Sequence, residues 1–268
     1  LPAGATEKSL KDSLGPLSEK LADIDNLKEG PGLTPSSITF SPAMIAAKKM
    51  QKKVHDQLEE SNASMHLRSA AFEMSLFGTG IMKGPFAIDK EYPNWEDGGD
   101  YSPLMKTVPE VTQVSVWNFY PDPDAHSMEE AQYVIERHKM SRSQLRALKK
   151  RPYFRDSVID EVIEMGENYV KKYWEDDLTD YAPDYGIDRF SVLEYWGMID
   201  TELLIEQGVD IPAELKDTDE LQANVWTCNG KLLRMVLNPF KPAKIPYMAV
   251  PYELNPYSFF GVGIAENM

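Results

Sequence analysis

The clearest apolar periods in the chain are helical and lie in its first third. Met50, Val54 and Leu58 recur every fourth residue, and Ala63, Leu67, Ala71 and then Met74 do much the same, so each set falls on one helix face. One or two helices are expected over 43–77, opened by Ser41 as N-cap with Pro42 in the first turn and closed by Gly78. Ahead of them, residues 1–42 are rich in Gly, Pro, Ser and charge, and an N-terminal arm, flexible or partner-bound, is expected there. Behind them, Ile81–Phe86 has strand composition, 87–105 shows no period and is expected to loop, and Val108–Phe119 is strand material. A turn at Tyr120-Pro-Asp-Pro-Asp124 follows, with Ser127 placed to cap a short acidic start at Met128. Gln132–Met140 alternates as a half-buried strand does. Ser141 can cap a helix carrying Leu145 and Leu148, and Val158, Val162 and Met165 or Tyr169 predict a second helix running to about Trp174.

From Phe190 the texture turns to strand, with Val192, Leu193, Tyr195 and Trp196. Asn229-Gly230, flanked by Trp226-Thr-Cys228 and Lys231-Leu-Leu233, predicts a two-residue type I′ hairpin, because Asn and Gly tolerate the positive φ that this turn demands. Pro239, Pro242, Pro246, Pro251 and Pro256 then predict an extended, irregular path to Gly261. The expected fold class is α+β, with amphipathic helices packed on antiparallel strands and hairpins in a main domain over 43–258. No apolar stretch reaches the ~18–20 residues of a membrane helix, and no period of 20–50 residues repeats.

Charge changes this picture by its distribution. The 268 residues include 43 acidic and 28 basic side chains, a formal charge of −15 that disfavours sequence-specific binding to nucleic acid. Within that total, residues 151–220 hold 20 acidic against 6 basic groups, while Arg137–Arg155 holds eight basic groups and no acidic one. The basic run (Arg142, Arg146, Lys149, Lys150, Arg151) and the acidic residues that follow it (Asp160, Glu161, Glu164) are a candidate subunit interface of the head-to-tail kind that closes rings. Two other readings stay open: mutual neutralisation of two solvated faces within one subunit, and a phosphate-binding patch.

Candidate catalytic chemistry is sparse in the local spacing. His55, His66, His126 and His138 lack the spacing of a zinc-hydrolase helix, and the single cysteine, Cys228, allows neither a disulfide within the chain nor a Cys-based zinc site. Asp122, Asp124 and Glu129 alternate like a calcium loop but lack its central glycine. Glu59 with Glu60, and Asp176 with Asp177, are sequence neighbours that point in different directions on a helix. Gly78, Gly80, Gly261 and Gly263 complete no phosphate-binding loop and are expected to be backbone hinges. No catalytic residue, metal or cofactor is expected on these grounds. A site assembled from distant carboxylates would leave no such local trace.

Three stretches taken together carry a resemblance. They are Ser61–Arg68 running into Phe77-Gly-Thr-Gly-Ile-Met-Lys-Gly-Pro85; Val114-Ser-Val-Trp-Asn-Phe-Tyr-Pro-Asp-Pro-Asp124 leading to Tyr133–Met140; and Pro251-Tyr-Glu-Leu-Asn-Pro-Tyr-Ser-Phe-Phe-Gly-Val-Gly-Ile-Ala265. In order and spacing, over about 43–268, they resemble the wing region of tailed-bacteriophage portal proteins, or head-to-tail connectors. The resemblance implies a structural, non-enzymatic subunit of a homo-oligomeric ring, usually a dodecamer, at one capsid vertex. Double-stranded DNA would pass through it non-specifically during packaging and ejection. Its implied partners are the terminase large subunit, a tail adaptor, the major capsid protein and scaffold, and its implied location is the virion, after assembly in the host cytoplasm. Residues 259–268 would then begin a stem helix, with the rest of the stem, the clip and the crown absent from this chain. Because the chain starts at Leu1 and stops at Met268 within a helix-like phrase, it is expected to be an internal piece of a longer polypeptide. Two alternatives are another virion structural protein, adaptor or scaffold-like, and a carboxylate-dependent metal hydrolase.

Overall fold

Two helices separated by a left-handed residue open the described part of the chain. The structure, a computed structural model, describes residues 42–96, 99–170, 189–266 and 268. The expected arm over 1–42 and the residues Asp176 and Asp177 therefore lie almost wholly or entirely outside the described residues, as does Ser41. Helix α1 spans Pro42–Glu60 and α2 spans Ala63–Phe77. Asn62 at φ 52° breaks the helical path between them, and Gly78 at φ 81° ends α2, a conformation that costs glycine little. Contacts divide the chain into residues 1–54 and 55–268, a boundary inside α1; the described part of the first unit is the opening of that helix. No helix among the described residues is long and apolar enough to cross a membrane.

The second unit contains two antiparallel sheets, so the α+β fold class holds. The smaller sheet has the order β2-β1-β8, with β1 at Thr79–Tyr92, β2 at Leu104–Val114 and β8 at Tyr247–Pro251. Two of its strands, β1 and β8, correct the sequence expectation. Residues 87–92, expected to loop, continue β1, because Ile88 pairs with buried Val108 and Asp89 accepts a hydrogen bond from Thr107 Oγ1 at 2.6 Å. Tyr247–Pro251 sits in the proline-punctuated stretch, yet as an edge strand it needs hydrogen bonds on one side only. Val116–Asn118 is a 3₁₀ turn that ends the strand expected to run to Phe119.

The larger sheet has the order β3-β4-β5-β6-β7, from β3 at Phe119–Pro121, β4 at Tyr133–Met140, β5 at Phe190–Asp200, β6 at Glu220–Cys228 and β7 at Lys231–Leu237. Asn229 and Gly230, at φ 51° and 72°, join β6 to β7 in two residues. Two short helices follow β4. Helix α3, Arg142–Ala147, starts with a full capping box between Ser141 and Gln144, and α4 covers Asp156–Met165. Gly166 at φ 90° stops α4, so the helix expected to reach about Trp174 ends before Tyr169. A fifth helix, α5 at Thr201–Glu206, carries too short a period to be read from sequence. Residues 259–266 contain bends, one bridge and a turn at 264–266, and none of them is helical.

One face of the larger sheet is covered from two directions. At one end α3 and α4 bury Leu145, Leu148, Ile159 and Val162 against Phe190, Val192, Trp226 and Cys228. At the other end the smaller sheet brings Ile81, Val114 and Tyr247 onto Phe119, Val134 and Trp196. The opposite face is covered in part by α5, whose Leu204 packs with Ile211, Leu221 and Ala223.

Candidate functional site

Between those two apolar patches lies a row of charged side chains. Alternation along β4 puts Val134, Glu136 and His138 on the inner face, and alternation along β5 does the same for Val192, Glu194 and Trp196. The register pairs Glu136 directly with Glu194, and Glu194 with Trp226 on β6. Two carboxylates opposed on neighbouring strands repel each other. Lys83, reaching across from β1, resolves the conflict: its Nζ donates to Glu136 Oε2 at 2.7 Å and to Glu194 Oε2 at 2.5 Å. The ammonium also lies over the rings of Tyr247 and Phe86, at 5.2 and 5.7 Å from their centroids.

Every oxygen of the two carboxylates has a neighbour. Glu194 Oε2 additionally accepts from His138 Nε2 at 2.7 Å, while its Oε1 accepts from Trp196 Nε1 at 2.7 Å and Asn224 Nδ2 at 3.1 Å. Tyr247 donates its hydroxyl to Glu136 Oε2 at 2.5 Å, and His138 Nδ1 stands 3.5 Å from Glu136 Oε1. The His138 ring lies flat on Trp226, 4.9 Å between centroids and 2° from parallel. Burial alone would raise the Glu194 carboxyl; the His138 hydrogen bond and the Lys83 charge outweigh it and bring it down to about 2. The Tyr247 hydroxyl goes the other way, held well above its ordinary range by burial and by both glutamates.

Glu136, His138 and Glu194 offer three ligand atoms within 4.8 Å of one another, a spacing that a metal ion could bridge. The fit fails at the centre. The Lys83 ammonium already lies at hydrogen-bonding distance from both carboxylates, where a divalent cation would have to sit, and placing a second positive charge there is unfavourable. Chemically, the arrangement is a satisfied buried ion-pair network that ties the two sheets together. Sequence spacing missed it because the pairs that Lys83 and Tyr247 make with the two glutamates span 53 to 111 residues. A signal was present, however: Glu136 and His138 share the inward parity of Val134 on a strand whose alternation was legible.

The four glycines form a second feature at the edge of this region. A Cβ on Gly78 would lie 2.0 Å from the Gly261 carbonyl oxygen, one on Gly261 would meet the Gly78 and Glu253 oxygens at 2.6 Å, and one on Gly263 would meet Leu76 O at 2.6 Å. Gly80 packs against Ala70 O in the same manner. Tyr252 N donates to Gly78 O at 2.8 Å, Gly261 N to Thr79 Oγ1 at 2.9 Å, and Ile264 N to Ser75 O at 2.8 Å. Three backbone segments thus meet without side chains between them.

Charged residues on and beside α3 and α4 pair within the chain. Lys149 Nζ lies 2.5 Å from Asp160, Lys231 Nζ 2.6 Å from Glu161, and Arg142 2.6 Å from Glu167. Arg146, Lys150, Arg151 and Glu164 are exposed. The structure therefore brings together part of the proposed interface as intrachain pairs and leaves the remainder at the surface. Asp122 and Asp124 form a turn, with the Asp122 carboxylate accepting from Asp124 N and Gln132 N at 3.1 and 3.2 Å. Cys228 is buried beneath the helices, which raises its thiol to about 11. No protein-family model matches the chain, and no curated protein matches it significantly.

Proposed function

We propose that this chain is the wing region of a tailed-bacteriophage portal subunit, which works as a structural element of a closed ring at one capsid vertex. In this reading double-stranded DNA passes through the ring during packaging and ejection, and the terminase and tail attach to other parts of the same subunit. The subunit itself breaks no bond. The observation that carries the reading is the convergence of the three stretches on which the resemblance rests. Phe77–Pro85 enters β1 through the glycine junction, Pro251–Ala265 packs its glycines on that junction, and the Phe119 ring of the middle stretch packs at a tilt against Tyr247 and Phe259, 5.4 and 5.9 Å between centroids. Segments up to 182 residues apart share one junction, as parts of one functional unit would. The net acidity also suits a conduit, since a surface rich in Lys and Arg would hold DNA phosphates by counterion release.

Electron microscopy of the purified product of the complete reading frame tests the proposal. Closed rings with about twelve-fold symmetry are expected. A product that stays monomeric at every concentration, or one that turns over a substrate unaided, overturns it. The rival metal hydrolase would build on Glu136, His138 and Glu194, and calorimetric titration with Zn²⁺ or Mn²⁺ separates the two: stoichiometric binding at this cluster favours the hydrolase.

A further inference from the structure

The outer face of the larger sheet carries an apolar groove that α5 leaves open. Ile199, Leu203, Val225, Leu232 and Met235 line a shallow, open cleft of about 380 Å³. Leu203, which is 43% exposed, is shared with an adjoining cleft whose walls include Asp200, Glu202, Glu206, Asp217 and Asp219. The groove itself is apolar, with Tyr195, Gln207 and Thr227 as its polar lining, and an acidic cleft that also holds Lys216 lies beside it across Leu203.

Helix α1 has the complementary surface. Met50, Val54 and Leu58 are 69%, 48% and 47% exposed and lie one turn apart along a single stripe. Lys49 and Lys53, both exposed, run along one flank of that stripe, each one residue before an apolar position. A basic amphipathic helix and an apolar groove flanked by an acidic cleft are the two halves of a helix-in-groove contact.

We infer that α1 of one copy docks in the outer-face groove of a second copy, with Lys49 and Lys53 facing Glu202 and Glu206. The two surfaces are different patches of one chain, so the contact is heterologous and repeats head to tail, closing where the rotation allows. The inference rests on the ring reading above only for closure; the pairwise contact stands on its own complementarity. It also differs from the basic run over Arg142–Arg151 and its acidic partners on α4, where Lys149 and Asp160 are already paired within the chain.

Charge-swap complementation tests it. Sedimentation equilibrium of the full chain at low salt is expected to show self-association that weakens at high salt. K49E/K53E and E202K/E206K should each associate at least tenfold more weakly, with unchanged thermal melts, and an equimolar mixture should associate with near wild-type strength. Mixing Val54→Cys with Leu203→Cys under oxidation should give a disulfide-linked heterodimer, which only a contact between copies can produce. A wild-type chain that is monomeric at all concentrations, variants that associate like wild type, a mixture that fails to recover, or cysteine variants that do not cross-link each overturn the inference. Rings that form in the complete product regardless of these swaps would refute the contact and leave the portal reading standing. Helix-in-groove association without closed rings in the complete product would do the reverse.

Discussion

Lys83→Met is the most informative single perturbation of the buried network. Methionine keeps the unbranched stem against Phe86 and Tyr247 and removes only the ammonium that separates two directly opposed carboxylates. Glu136 and Glu194 are 8% and 3% exposed, so water cannot take over the role of the lost cation. Removing one partner of a buried, hydrogen-bonded ion pair costs about 3 to 5 kcal/mol, and that is the loss expected in urea unfolding followed by Trp196 and Trp226 fluorescence. The pH dependence supplies the sign. In the wild type, Glu194 moves from an ordinary value of 4.5 down to about 2, so its contribution is fully present above pH 4.5 and is lost as the pH falls toward 2. At ~1.4 kcal/mol per tenfold change in proton affinity, that gap contributes about 3 kcal/mol. In Lys83→Met the two carboxylates repel, and one takes up a proton more readily than a free carboxyl would. The gap between variant and wild type should therefore narrow as pH falls below about 5. A loss under about 1 kcal/mol at neutral pH, or a gap that widens in acid, would refute the account of the network as the tie between the sheets.

The glycine junction predicts a contrast. Gly78→Ala should cost about 3 kcal/mol or more, since its Cβ would meet backbone at 2.0 Å, whereas Gly208→Ala, at φ 76° with nothing within 4 Å, should cost only the left-handed penalty of about 1 to 2 kcal/mol; equal melting losses would count against close approach as the reason for Gly78. Ser141→Ala removes a side-chain cap and the reciprocal Gln144 bond, so about 1 kcal/mol should be lost in chemical denaturation. Cys228, buried and with its thiol raised to about 11, should react with a soluble disulfide reagent at pH 8 only as fast as the protein opens; immediate labelling of the native protein would show the site to be accessible.

What the sequence made legible follows from the range of the forces concerned. The stop at Gly78, the turn at Asn229-Gly230 and the cap at Ser141 are set by residues within four positions of one another, and each was readable. Strand β4 was readable because its two faces differ in burial. The second half of β1 was not: beyond Ile88 its half-buried face is made by Lys90 and Tyr92, not by aliphatic residues, so no apolar alternation marks it, and pairing with β2 carries the strand on. Strand β8 was hidden by its flanking prolines. The charged network was least legible, because Lys83, Glu136, Glu194 and Tyr247 meet only when two sheets stack.

That network also supplies something the apolar pattern lacks. A one-residue slip of β5 against β4 would turn Val192, Glu194 and Trp196 outward and is excluded by burial. A two-residue slip preserves the inward parity and exchanges one buried apolar residue for another, so hydrophobicity barely opposes it. Such a slip would move Glu194 opposite His138 or Val134 and away from Glu136. Lys83, with a single Nζ held by β1, then could not reach both carboxylates, and one of them would remain buried without its cation, at a cost of several kcal/mol. The pairing of Glu136 with Glu194, unfavourable in isolation, thus fixes the register of the larger sheet and the position of the smaller sheet upon it. The same placement sets Tyr247 beside Phe119, and the glycine junction at the end of β8 then falls where Gly78 and Gly261 can touch.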